Sequence, residues 1–158
     1  MNPIAMRKGD AMLVTQMLKI KKQTAASIVW IAPDATIREA AAKLAEHRIG
    51  ALVVSPDGTH PAGILSERDI VRELAGQGVG VMDKLVMDLM TRDIETCKAA
   101  DDAMDVLNRM TIGRFRHLPV IDDAGQMIGV VSIGDAVSGR LAELAAEKEA
   151  LTGMIMGN

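Results

Sequence analysis

Two serine–aspartate pairs, Ser66 with Asp69 and Ser132 with Asp135, carry the spacing most able to do chemistry in this chain. Each pair closes the same seven-residue pattern of glycine, two apolar residues, serine, two variable residues and aspartate, at Gly63–Asp69 and again at Gly129–Asp135. A serine followed three residues later by an acid is a capping box, which stabilises a helix start by about 1 kcal/mol. The same geometry can bind. A helix N-terminus offers free N–H groups and a positive dipole end to an anion. A serine hydroxyl can add a contact to a phosphate, and an aspartate can accept from both hydroxyls of a ribose. Capping and binding are compatible. A glycine in strand sequence weakens pairing and marks close approach of a ligand or another backbone, so Gly63 and Gly129 add to the signal.

Phosphates also need cations. Arg114-Phe115-Arg116-His117 concentrates positive charge just before the apolar Leu118-Pro119-Val120, whereas the first half has Ile49-Gly50-Ala51 at the places of Phe115-Arg116-His117. His47 and Arg48 lie one step earlier and are the weaker candidates there.

Other chemistries find little support. His47, His60 and His117 have no metal-ligand spacing with one another or with Cys97. Cys97 with His117 would make a nucleophile pair, but Cys97 stands in a strand-like stretch where a buried inert thiol is the usual case. No phosphate-binding P-loop or dinucleotide glycine fingerprint is present. Asp34 to Ala41 resembles the opening helix of a helix-turn-helix, but Gly50-Ala51-Leu52-Val53-Val54 follows where a polar recognition helix should stand. A non-catalytic protein that does not bind nucleic acid is the expectation.

The elements that position these residues repeat. At an offset of 66 residues the halves align without a gap: Ile28 meets Ile94, Arg48 meets Arg114, Leu52 meets Leu118, Val54 meets Val120 and Val71 meets Val137. Each half reads as strand, helix, strand, strand, helix. The first strands are Ser27–Ile31 and Asp93–Cys97. Ile37, Ala40, Ala41 and Leu44 fall at helical spacing, as do Ala103, Val106, Leu107 and Met110. Thr36 with Glu39 caps the first of these helices, and Asp102 serves less fully in the second. Strand pairs 51–54 with 62–65 and 117–121 with 127–131 are joined by the turns Ser55–Gly58 and Asp122–Gly125, and helices open at Ser66 and Ser132.

The organisation predicted is an N-terminal extension over 1–12, a first repeat over 13–76 and a linker with a lead-in segment over 77–90. A second repeat over 91–145 and a helix end and tail over 146–158 follow. Gly76, Gly78 and Gly80 break the helix before the linker, and 153–158 is expected to fray. Neither copy buries much apolar surface alone, so the two should pack together.

The bulk numbers agree with a small globular chain of 158 residues, 49 % apolar and 25 % charged, with net charge −3. That balance argues against general nucleic-acid affinity, and two aromatics, Trp30 and Phe115, supply few stacking platforms. One cysteine rules out an internal disulfide framework. No run approaches the ~20 apolar residues of a membrane span, and the first ten residues lack signal-peptide order, so a cytoplasmic location is expected.

Two in-register copies of the glycine–serine–aspartate pattern, over roughly residues 13–145, resemble a tandem pair of CBS domains, also called a Bateman module. The resemblance implies an α+β fold of two repeats packed through their sheets, with clefts for adenosine-containing ligands. These are AMP, ADP, ATP, S-adenosylmethionine and, in some members, NAD(H). It also implies pairing of two modules into a homodimer, and a regulatory role whose output passes to an unidentified effector protein. Carried onto this chain, it assigns the main cleft to Thr24, Ser27, Ile28, Val29, Gly50, Arg116, His117, Ser132 and Asp135. There the aspartate would hold the ribose, Arg116 and His117 the phosphates, and the first strand the adenine. The second cleft falls to Arg48, Ser66, Asp69 and Ile94, where the acids Asp93 and Glu95 would repel a triphosphate. The alternative is a ligand-free dimerisation module.

Overall fold

The computed structural model describes residues 11–155. It divides into two units that do not follow the chain order. One consists of Ser27–Glu95 with Asp123–Met127, and we call it the first unit. The second unit holds the described residues up to Ala26, Thr96–Asp122, and those from Ile128 onward.

The first unit contains β1 (Trp30–Ile31), α2 (Ile37–His47), β2 (Ala51–Val54), β3 (Gly63–Ser66), α3 (Glu67–Gln77) and α4 (Val86–Leu89), where α1 is the helix Val14–Ile20 of the second unit. Its three strands form one sheet in the order β1-β2-β3, parallel between β1 and β2 and antiparallel between β2 and β3. Helix α2 forms as its periodicity predicts. Ile37, Ala40 and Leu44 are buried, and Thr36 with Glu39 makes both bonds of the capping box. They join Leu52, Val54, Leu65, Ile70 and Val86 in one core. Each such fully buried aliphatic side chain contributes about 1.5–3 kcal/mol.

The second unit adds α5 (Ala103–Gly113), β4 (His117–Ile121), β5 (Met127–Ser132, from Ile128 on) and α6 (Ile133–Ile155) to α1. Ala103, Val106 and Met110 bury the face of α5 expected of them, and Asp102 caps the helix with one bond and no box. The core gathers these with Val14, Met17, Leu18, Cys97, Leu118, Val120, Val131 and Ala136. Among the described residues no helix is long and apolar enough to cross a membrane.

Three expectations need correction. The first strand of the second repeat, expected over Asp93–Cys97, shrinks to a single parallel bridge of Cys97 to Val120. The cause lies at Pro119, which stands where Val53 stands in the first repeat. Val53 anchors the Trp30 rung, but proline has no N–H to donate to a second rung. The end of that lost strand is still held from α5: Arg109 donates to the Thr96 carbonyl, as Lys43 donates to the Trp30 carbonyl 66 positions earlier. In the first repeat the strand is also shorter than Ser27–Ile31, because Ala25–Ser27 form a 3-10 turn. Finally, α6 runs through Gly153 to Ile155 rather than fraying from Gly153. The rest of the expected tail, 156–158, and the extension up to residue 10 lie outside the described residues.

The segment read as a linker is built structure. Gly78 ends α3 at φ 81°, and Val79–Asp83 and α4 then lead into the second repeat while packing on the first. The backbone bonds that dock α4 are Val86 N–H to the Ala35 carbonyl and Ile37 N–H to the Lys84 carbonyl, both 2.8 Å. Helix α1 docks in the second unit by the same pair, Val14 N–H to Asp101 and Ala103 N–H to Met12, again both 2.8 Å. Each repeat is thus completed by the lead-in helix that the chain places before the other one.

Candidate functional site

Ser132 ends β5 and opens α6, so the aspartate three residues on is pinned at the helix start. Ser132 N–H donates to Asp135 Oδ2 at 2.8 Å, and Asp135 N–H donates to Ser132 Oγ at 3.1 Å. Ser66 and Asp69 repeat both bonds at the start of α3, at 2.9 and 3.2 Å. The capping expected at both motifs is therefore formed. Both carboxylates are largely covered, with 19 % and 18 % of the side chain exposed.

Arg116 is brought to the start of α6 by the turn after α5. Arg114 adopts the left-handed conformation at φ 57°, Phe115 N–H returns to the Met110 carbonyl, and the chain enters β4. Ile133 N–H then donates to the Arg116 carbonyl at 2.8 Å, tying the start of α6 to the head of β4. Arg116 is exposed and His117 half-buried. Thr24, Arg116, His117, Ser132 and Asp135 all belong to the second unit. Ser27, Ile28, Val29 and Gly50 belong to the first. Of these, Ile28 is buried and Val29 packs against that unit's own core.

The residues of the second cleft, Arg48, Ser66, Asp69 and Ile94, all fall in the first unit. Arg48 caps α2 at φ 54°, as Arg114 caps α5, and Glu67 N–H donates to the Gly50 carbonyl as Ile133 does to Arg116. Arg48 and Gly50 line a groove of about 460 Å³ between α2 and α3 with Ala41, Leu44, Ala45, Glu67 and Val71; Asp69 does not line it. Asp69 instead has Arg72 at 3.7 Å, a side chain that is 73 % exposed. Asp93 and Glu95 are exposed, and Ile94 half-buried.

The motif glycines meet the chain itself. A Cβ on Gly63 would stand 2.7 Å from the Thr91 carbonyl oxygen and 2.9 Å from Met90 Sδ. One on Gly129 would stand 2.6 Å from Leu18 Cδ2 and 3.1 Å from Gln23 Oε1. Of the two approaches that a strand glycine can mark, the structure displays that of a neighbouring part of the chain, just after α4 in one unit and at α1 and the residues after it in the other.

Two residues of this site were missed from sequence. Lys21 Nζ donates to Asp135 Oδ2 at 2.8 Å and to the Val130 carbonyl at 2.9 Å. Gln23 Oε1 accepts from Val130 N–H at 2.7 Å. Their signal was absent because the pairing partner, in the segment that follows α1, shares no register with the motif it serves. Cys97 shows no sign of a nucleophile, since it is buried and burial pushes its thiol up to about 12. At the β2–β3 turn, N–H groups of His60 and Thr59 hold the Asp57 carboxyl well below the usual carboxylate range. Those bonds order a turn around the buried Ser55.

Comparison with known proteins agrees with this architecture. The family model "CBS domain" matches residues 24–76 and 86–141. A mitochondrial CBS domain-containing protein of Arabidopsis thaliana, CBSX3, is 35 % identical over 153 residues, covering 94 % of this chain and 74 % of its own. The solved CBS-domain containing protein ATU1752 of Agrobacterium tumefaciens is 36 % identical with a TM-score of 0.77, over 87 % of this chain and 99 % of its own. The CBS domain protein PAE2072 of Pyrobaculum aerophilum, solved complexed with AMP, is 29 % identical with a TM-score of 0.67, over 78 % of this chain and 88 % of its own.

Proposed function

We propose, from the premise that this chain belongs to the CBS-domain family as a tandem pair, that it is a regulatory module binding an adenine nucleotide at Asp135. The observation that carries the reading is the fixed carboxylate. Ser132 N–H takes one lobe of Asp135 Oδ2, and the carboxylate keeps acceptor capacity for the hydroxyls of a ribose. Arg116 and His117, one backbone bond from the start of α6, supply the phosphate contacts, and the helix N-terminus adds its positive end. Thr24 completes the group within that unit. The AMP complex of a relative 29 % identical supports the ligand class, with ATP, NAD(H) and S-adenosylmethionine as the other adenosine ligands to test.

The role is regulatory rather than catalytic, and the buried thiol of Cys97 supports that. Asp69, with Arg48, Ser66 and Ile94 in the same unit, makes the weaker site. Its neighbouring cation is a solvated arginine, and it lacks an equivalent of Arg116. The module acts in the cytoplasm as a homodimer and passes its state to an effector protein. Val71 and Leu74 on α3, and Val137, Leu141 and Leu144 on α6, are exposed apolar residues that suit such pairing. A ligand can bias the effector only by its differential affinity for two states of the module.

A thermal-shift panel of AMP, ATP, NAD(H) and S-adenosylmethionine on wild type, Asp135→Ala, Asp135→Asn and Asp69→Ala tests this. A ligand at a hundredfold excess over its dissociation constant adds about 2.7 kcal/mol, several degrees for a chain of this size. Each variant is read against its own ligand-free midpoint, because Asp135→Ala also removes the cap bond. Loss of the shift in both Asp135 variants and retention in Asp69→Ala is expected. No shift with any ligand, in protein freed of carried-over nucleotide, leaves a dimerisation module.

A further inference from the structure

The two units solve one pairing problem in different ways. In the first unit, Ile64 N–H donates to the Thr91 carbonyl at 3.0 Å and Thr91 N–H donates back to Ile64 at 2.9 Å. In the second unit, Val130 holds the place of Ile64, and side chains make both bonds: Gln23 Oε1 accepts from its N–H and Lys21 Nζ donates to its carbonyl. A neutral N–H does the structural work in one unit, so the charge of Lys21 is surplus to that work in the other. That charge is placed on the aspartate of the candidate ribose site, 2.8 Å from Oδ2.

The placement is built into the chain. Helix α1 ends in a Schellman turn: Gln23 N–H reaches back to Leu18 and Lys22 N–H to Lys19, with Lys22 left-handed at φ 55°. This turn presents Lys21 and Gln23 to β5 on either side of a strained residue. The lysine is 31 % exposed, and an ion pair that open to water is weak enough to exchange partners. A flexible stem and three rotatable donors let the ammonium move while staying bonded.

We propose that Lys21 is a specificity-determining residue, a resident cation on Asp135 that is handed to the ligand's phosphate when ribose hydroxyls take the carboxylate. This inference rests on the nucleotide reading of Asp135 given above. An adenine nucleotide replaces the carboxylate partner of Lys21 with a phosphate, which accepts a charge-assisted bond at least as well. Uncharged adenosine competes for the same carboxylate and offers the displaced ammonium nothing. The site therefore selects ribonucleotides that carry an anionic group next to the sugar and rejects the bare nucleoside. The exposed Arg72 beside Asp69 is already solvated, so the other unit exerts no such selection.

Titration calorimetry of AMP and adenosine into the full chain tests this with wild type, Lys21→Met and Lys21→Gln. Methionine keeps the apolar stem, and glutamine keeps a donor for the Val130 carbonyl without the charge, so at least one variant reads the charge apart from folding. Wild type should bind AMP at least tenfold more tightly than adenosine. Both variants should lower that ratio about tenfold, with adenosine binding gained as AMP binding is lost. An unchanged ratio in a folded Lys21→Gln protein that still binds AMP overturns the role of Lys21 alone. Binding of neither ligand to wild type overturns the nucleotide reading and this inference with it.

Discussion

The start of α3 and the start of α6 present the same serine–aspartate cap, yet they differ in what stands behind it. Behind Asp69, the chain after α4 meets β3 backbone to backbone, and the motif glycine faces the Thr91 carbonyl. Behind Asp135, the chain after α1 meets β5 through the side chains of Lys21 and Gln23, and the motif glycine faces the ends of Leu18. The rigid solution leaves its aspartate with only an exposed arginine of its own helix, at 3.7 Å. The side-chain solution delivers a lysine to it. A duplicated motif therefore specifies the same cap twice, while the cation beside it comes from the same helix in one copy and from the segment after α1 in the other.

The largest effect that sharpens this contrast comes from adding one methyl group to each motif glycine. In Gly63→Ala the new Cβ stands 2.7 Å from a backbone oxygen that is itself held in the Ile64–Thr91 bridge, so strand or segment must shift. A cost of about 2–3 kcal/mol is expected, at the upper end for overpacking. In Gly129→Ala the nearest atoms are the Cδ methyls of Leu18, which can change rotamer, so about 1 kcal/mol is expected. Urea denaturation of both variants checks the difference. Equal costs would mean that the two bridges are equally stiff and would break the comparison.

The caps themselves should behave alike. Ser66→Ala and Ser132→Ala each remove the acceptor for the aspartate N–H, at 3.2 and 3.1 Å. Each should cost about 1 kcal/mol, or roughly 2–4 °C in the midpoint for a chain of this length. A markedly smaller loss in Ser132→Ala would show that Lys21 restrains the start of α6 as well as the carboxylate.

What was legible from sequence was what lies close in the chain. The helical faces of α2 and α5, the boxes at Thr36, Ser66 and Ser132, and the one-bond cap at Asp102 all depend on residues within a turn or two, and all formed as read. The offset of 66 extended this to the fold, because Lys43 and Arg109, or Gly50 and Arg116, do the same work in each copy. The shrunken first strand of the second repeat was also written locally, in Pro119, but only the register with Val53 revealed its consequence. The lead-in helices were not legible. Leu13-Val14 and Leu85-Val86 correspond at an offset of 72, not 66, and each docks on the repeat that does not follow it directly. Lys21 lies in the residues that separate those two offsets, so it has no counterpart in the repeat register.

The smallest effect tests the turn that makes the second unit's solution possible. Helix α4 ends at Met90 with extended backbone at φ −64°, whereas α1 is followed by Lys22 at φ 55°. A non-glycine residue in that conformation carries roughly 1 kcal/mol of local strain, and glycine carries almost none. Lys22→Gly relieves the strain but gives the unfolded chain more freedom, so the net gain should be about 0.5 kcal/mol, a rise of one or two degrees. The same substitution should leave the Lys21 contact to Asp135 in place, since the Schellman bonds of Gln23 and residue 22 use backbone alone. A midpoint that falls instead would mean that the Lys22 side chain, not its backbone, holds the turn. The ammonium at Asp135 would then depend on a second lysine rather than on the geometry of the helix end.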